Sequence, residues 1–190
     1  MSGIAGSTPV IGIAGWKKSG KTTLVNGLIA EFSRRGLKVA TVKHAHHAFQ
    51  IDDAETDSAR HRRAGAAQVA IVSRERWAMV RELQSEPEPE LAEVISWLDP
   101  CDLVIVEGYK RSSIPKIEVR RRAAASQEPL AGKSPNIIAI AADHAVTNAS
   151  GLPAFLLDDV DAIADYILSV VRPLPREGAP GGNLRGGPAR

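Results

Sequence analysis

Cysteine is almost missing from this chain of 190 residues: Cys101 stands alone. One thiol makes no intrachain disulfide and cannot supply a Cys-based zinc site. Long apolar runs are missing as well, none approaching the roughly 20 residues that a membrane span requires. The opening stretch MSGIAGSTPVIGIAG has no basic segment ahead of its apolar residues, which argues against a secretory signal and for a cytoplasmic protein. Nor is there a surplus of one charge. The net charge is +2, yet residues 172–190 hold four Arg and one Glu and carry +3 by themselves. The rest of the chain is left at −1, which disfavours a general nucleic-acid binder. What is present is a globular balance, 44% hydrophobic and 24% charged, enough apolar material for a core and incompatible with a wholly disordered chain.

Residues 1–9 are small and polar and end on Pro9, the signature of a flexible arm. Residues 172–190 include nine Gly or Pro and almost nothing apolar, too little to offset the entropy of ordering, so a disordered tail is expected. Residues 10–171 between them read as one nucleotide-binding domain. Val10–Ala14 has the all-apolar look of a buried parallel strand. Leu24, Val25, Leu28, Ile29 and Phe32 recur at helical spacing before a stop at Gly36, and Lys38–Lys43 reads as the next strand. Further strands are expected at Gln68–Ser73, Trp77–Val80, Leu103–Val106, Asn136–Ala142 and Ala154–Leu157. Helices are expected over Thr56–Ala64, around Leu91–Leu98 and over Asp158–Val171. Lys116–Arg122 alternates apolar and charged residues, the pattern of a half-exposed or edge strand. Strands alternating with helices imply an α/β fold, a mostly parallel sheet with helices on both faces.

The segment Gly15-Trp16-Lys17-Lys18-Ser19-Gly20-Lys21-Thr22 satisfies G-x-x-x-x-G-K-[ST] in full. It lies between an expected strand and an expected helix, the context that makes this motif a phosphate-binding P-loop. The two glycines let the backbone close around phosphate oxygens with its amides inward. The helix start adds positive potential. Lys21 is then expected on the β- and γ-phosphates, Thr22 on Mg²⁺, and Thr23 on the α-phosphate.

In a parallel sheet, ligands gather beyond the carboxyl ends of the strands. Lys43 and His44 end one expected strand and Glu107 ends another, so all are candidates for the phosphate site. Glu107 suits the acid that holds Mg²⁺ or its water. Asp52, Asp53 and Asp57 compete for a second acidic role, and spacing does not choose among them. Asp102 opens the strand at its far end and reads as structural. His44, His46 and His47 cluster without a matching set of Cys or acidic ligands, the mark of polar loop residues more than of a metal site.

GWKKSGKTTL, TVKHAHH, TDSARHRRAGA, DLVIVEGYK and IPKIEV, in this order and spacing, resemble the molybdopterin-guanine dinucleotide biosynthesis protein B (MobB) family across roughly residues 9–171. The resemblance implies a P-loop GTP-binding fold, usually dimeric. It also implies an accessory role beside the guanylyltransferase that joins a guanine nucleotide to molybdopterin, with weak GTP hydrolysis at best. A looser similarity to dethiobiotin synthetase points to Lys43 at the phosphates, to Glu107 at the metal, and to Asp57 as the second metal-binding acid. The usual Asn-Lys-x-Asp guanine reader is missing. Asp143 stands in its place after Ile137–Ala141, with a carboxylate suited to guanine N1–H and the 2-amino group.

Two other readings share the fold. A small-molecule kinase or ligase would carry a basic lid, whereas Ser85–Pro89 is short and acidic. A metal-delivery GTPase would set Cys beside His, and Cys101 lies at the wrong strand end. For the dimer, the alternation in Lys116–Arg120 leaves two readings open: an edge strand pairing with its mate, which would bring Lys110 and Arg111 near the symmetry axis, or a strand already covered by the chain's own sheet.

Overall fold

The computed structural model describes residues 8–45, 55–147, 149 and 151–171. Most of the expected arm and the whole expected tail lie outside the described residues, as do His46, His47, Asp52 and Asp53. In chain order the elements are β1 (Val10–Gly15), α1 (Lys21–Arg34), β2 (Val39–Lys43), α2 (Asp57–Arg63), β3 (Gln68–Val72), β4 (Trp77–Arg81), α3 (Leu91–Ser96), β5 (Leu103–Glu107), β6 (Lys116–Arg120), β7 (Ile137–Ala142), β8 (Ala154–Leu156) and α4 (Val160–Val170). They fall into two compact units, one of residues 1–42 with 98–190 and one of residues 43–97.

The first unit is built on a six-stranded sheet in the order β2-β5-β1-β6-β7-β8. Pairing is parallel from β5 through β1, β6 and β7 to β8. All five residues of β5 are buried, as its unbroken apolar run requires of a strand covered on both faces. On one face Ile11, Ile13, Ile105 and Ile117 pack with Leu28 and Phe32 of α1 and Ile163 and Ile167 of α4. Each such side chain contributes about 1.5–3 kcal/mol by leaving water. The other face carries a smaller cluster of Ala14, Leu130 and Ile137 with Trp16 against it. Asp102 does act structurally: Oδ2 accepts from the Lys38 amide at 2.7 Å, and its own amide donates to the Lys38 carbonyl at 2.8 Å.

Two strand expectations need correction. β6 is not an edge: it lies between β1 and β7, and Lys116, Ile117, Glu118 and Val119 are all buried. The charged residues of its alternation turn inward because each finds partners there. Lys116 Nζ donates to the Ser112 and Ile114 carbonyls at 2.5 and 3.0 Å. Glu118 accepts from the Leu130 and Ala131 amides at 2.7 and 2.9 Å and from Arg120 at 2.9 Å. A buried charge survives when it is paired and hydrogen-bonded in this way. Pairing of two copies through this strand is therefore excluded. β3 and β4, secondly, do not join the parallel sheet; they form an antiparallel hairpin of their own, with Val72 opposite Trp77.

That hairpin belongs to the second unit. Its turn is tied by Ser73, whose Oγ accepts from the Glu75 and Arg76 amides at 3.3 and 3.1 Å. α2 starts where expected, with Thr56 Oγ1 accepting from the Ala59 amide at 3.3 Å as its N-cap.

Within the first unit, a charged network joins α1 to α4. Glu31 accepts from Arg34 at 2.7 Å and Arg35 at 2.5 Å, and Arg35 also donates to Asp165 at 2.5 Å. The Arg34 hydrogen bonds, then those of Arg35, hold the Glu31 carboxyl down at about 2, against 4.5 ordinarily. A carboxyl with a depressed folded-state pKa contributes stability above its unfolded value, and that contribution is lost as pH falls through the folded one. Glu31→Gln is expected to flatten the loss of stability between about pH 4.5 and pH 2. Denaturant titrations across that range check it; an unchanged acid limb would contradict it.

Candidate phosphate site

The loop Gly15–Thr22 leaves the carboxyl end of β1 and enters α1. A Cβ at Gly15 would overlap Ser19 Oγ and come within 2.7 Å of the Val119 carbonyl oxygen, so only glycine fits. Lys18 (φ 65°) and Gly20 (φ 92°) are left-handed. Such turns aim successive amides into one concavity. Gly20 is the N-cap of α1 and has no side chain to cap it, and the start of the helix presents positive potential to an anion. Ser19 is 1% exposed, and its Oγ has no hydrogen-bond partner among the described residues. An orphaned buried hydroxyl costs about 1–3 kcal/mol, and an oxyanion seated in the loop is the partner that would relieve it. Lys21 Nζ folds over the loop to the Trp16 carbonyl at 2.9 Å.

Beside the loop, Thr22 Oγ1 donates to Glu107 Oε1 at 2.9 Å. Glu107 is the last residue of β5, in register with Ile13 of β1. The sheet thus joins two residues 85 positions apart into one neutral and one anionic oxygen donor. Such a set suits a hard cation such as Mg²⁺.

The segment that follows β6 braces the loop. The Ala125 amide donates to the Lys17 carbonyl at 2.8 Å, and Trp16 Nε1 donates to the Glu128 carbonyl at 2.6 Å. Lys110 sets its ammonium 4.0 Å from the centre of the Trp16 ring, and burial lowers its pKa. Asp143 follows β7. Oδ1 accepts from the Arg122 amide at 3.0 Å and lies 2.7 Å from His144 Nδ1. The His144 hydrogen bond above all, with the Arg122 amide adding to it, holds this carboxyl below the usual aspartate range and therefore ionised.

The remaining candidates belong to the second unit. Lys43 is the exposed last residue of β2, Asp57 sits in the first turn of α2 with Oδ1 3.7 Å from Arg60, and His44 Nε2 lies 2.8 Å from Glu88. Among the described residues no three His, Cys, Asp or Glu side chains gather to hold a metal ion. No helix among them is long and apolar enough to cross a membrane. One neighbour of the loop escapes the sequence altogether: the Arg121 guanidinium, its NH1 3.7 Å from where a Gly20 Cβ would stand. Only the return of β6 alongside β1 brings it there.

Residues 10–143 match the family described as MobB, molybdopterin guanine dinucleotide synthesis protein B. The chain belongs to the MobB family. The molybdopterin-guanine dinucleotide biosynthesis adapter protein of Escherichia coli (strain K12) is 36% identical over 171 residues, spanning 87% of this chain and 95% of that protein. Its counterpart of the same name in Haemophilus influenzae is 37% identical over 164 residues, 84% of this chain and 87% of that one. The crystal structure of a MobB protein homolog from Bacillus stearothermophilus shares the fold with a TM-score of 0.65. It is 29% identical, and the match covers 86% of this chain and 97% of that chain.

The crowding at Gly15 makes its own prediction for the MobB loop. Gly15→Ala must push against backbone, and overpacking of that kind costs about 1–3 kcal/mol. Chemical denaturation is expected to show that loss; a variant as stable as the parent would mean the loop is looser than described.

Proposed function

We propose that this chain is a GTP-binding adapter in molybdenum cofactor biosynthesis, holding nucleotide for the attachment of guanine nucleotide to molybdopterin. The observation that carries the reading is the Thr22–Glu107 hydrogen bond of 2.9 Å at the mouth of a complete phosphate loop. The loop residues Gly15, Trp16, Lys17, Lys18, Ser19 and Gly20 surround the phosphates. Lys21 and Lys43 neutralise them, and Thr23 takes the α-phosphate. Thr22, Glu107 and Asp57 hold Mg²⁺. The ionised Asp143 accepts from the guanine N1–H and 2-amino groups. Guanine over adenine is supported by the names of the relatives, and hydrolysis is weak at most.

The partners under this reading are a guanylyltransferase carrying molybdopterin and a second copy of the chain. β6 is buried, so it offers neither of them a surface. The exposed Val72, Trp77 and Met79 on the β3–β4 hairpin support association elsewhere.

Calorimetry with GTP and ATP, each with Mg²⁺ and with EDTA, tests the reading. GTP is expected to bind more tightly than ATP. Lys21→Ala is expected to cost roughly 10–150-fold in affinity, the worth of a charge-assisted contact of about 1.5–3 kcal/mol. Glu107→Gln is expected to weaken binding only when Mg²⁺ is present. A clear ATP preference would favour the kinase or ligase reading, and GTP affinity unchanged in Lys21→Ala would overturn the loop assignment.

A further inference from the structure

The braces around the loop serve a side chain that no motif marks. Arg121 is the first residue beyond β6, and its backbone is fixed from several directions. Gln127 Nε2 donates to the Arg121 and Arg122 carbonyls at 3.0 and 3.1 Å. The Ala124 amide donates to the Arg121 carbonyl at 2.9 Å, and the next amide, of Ala125, reaches the Lys17 carbonyl of the loop. Asp143 receives the Arg122 amide. Arg121 itself lies with Nε 3.7 Å from Asp143 Oδ2, too long for a hydrogen bond, and its side chain is 41% exposed. Its NH1 approaches Gly20. A guanidinium has five donors in a rigid fork, so one edge can face a carboxylate while the other faces a phosphate.

Sheet order says which phosphate. β5 and β6 flank β1 on opposite sides. The Thr22–Glu107 pair, which would hold the metal, marks the β5 side and with it the end of the site for the β- and γ-phosphates. Arg121 stands on the β6 side, with Asp143 after the next strand. A nucleotide stretched from the metal pair toward Asp143 passes Arg121 between its β-phosphate and its base.

We infer that Arg121 is a nucleotide-contacting residue whose guanidinium binds the α-phosphate side of a nucleoside di- or triphosphate seated on the loop. The inference rests on the loop being a nucleotide site. Its backbone is held in place before any ligand arrives, so only the side chain is ordered on contact.

The test is titration calorimetry of the full chain and of Arg121→Ala with GTP, GDP and ATP in Mg²⁺, together with melting of the free proteins. All three nucleotides are expected to lose affinity by a similar factor, about tenfold or more, with the melting temperature of the free protein unchanged. Arg121→Lys, which keeps the charge without the fork, is expected to fall between the two. Three results would overturn the inference: unchanged affinities, a loss for GTP but not GDP (a contact on the γ side), or a loss for GTP but not ATP (a contact to the base). If Arg121→Ala fails to fold, Arg121→Gln keeps the stem beside Gly20 and carries the same expectations. If the unsubstituted chain binds none of the nucleotides, the nucleotide-site reading falls and this inference with it. Normal binding by the variant overturns the inference alone.

Discussion

The backbone of β1 must pass so close to Val119 of β6 that Gly15 has no room for a Cβ, and the phosphate loop takes its shape from that approach. With β1 seated against β6, Ser19 is buried beneath the turn, Gly20 is left-handed, and α1 begins without a side-chain cap. An orphaned hydroxyl and a left-handed lysine at position 18 each cost roughly 1–3 kcal/mol by the usual magnitudes. Both come from the tight turn, and an anion in the concavity would satisfy the hydroxyl. The core of Ile11, Ile13, Leu28 and Phe32 is what keeps such a loop folded in its absence.

The loop is legible in the sequence because its chemistry dictates residue types at fixed offsets. Glu107 is legible for a related reason: a carboxylate ending the most apolar strand of a parallel sheet stands at the ligand edge, and it meets Thr22 there. Asp102 at the other end of that strand is equally readable as a structural pin. The strand over residues 116–120 is legible as a strand, but its place inside the sheet is not. Alternation of apolar and charged residues predicts one wet face only if the charges cannot be satisfied inside. Here the partners of Lys116 are carbonyls of the connection before it, and those of Glu118 are amides of the connection after it. Periodicity encodes neither. Burial lowers the Lys116 pKa, and its stem fills the space a side chain at Gly12 would need.

The hairpin fails for a different reason. Gln68–Val72 and Trp77–Arg81 read correctly as strands, but a strand assignment says nothing about which sheet a strand joins. The link of four residues between them, tied through Ser73, favours local antiparallel pairing, whereas a parallel neighbour needs a long crossover. Arg121 is illegible on similar grounds: it is one of three consecutive arginines, and only the packing of β6 beside β1 tells it from the other two.

A cradle that is already built makes a demand on the liganded state, and a crystal structure grown with a non-hydrolysable GTP analogue and Mg²⁺ examines it most directly. Phosphates are expected on the Gly15–Thr22 loop, with its backbone unchanged. Lys21 Nζ leaves the Trp16 carbonyl for phosphate oxygen, and the Thr22 and Glu107 oxygens turn from each other to the metal. A nucleotide bound elsewhere, or a loop that refolds to receive it, would mean that the cradle is not pre-built.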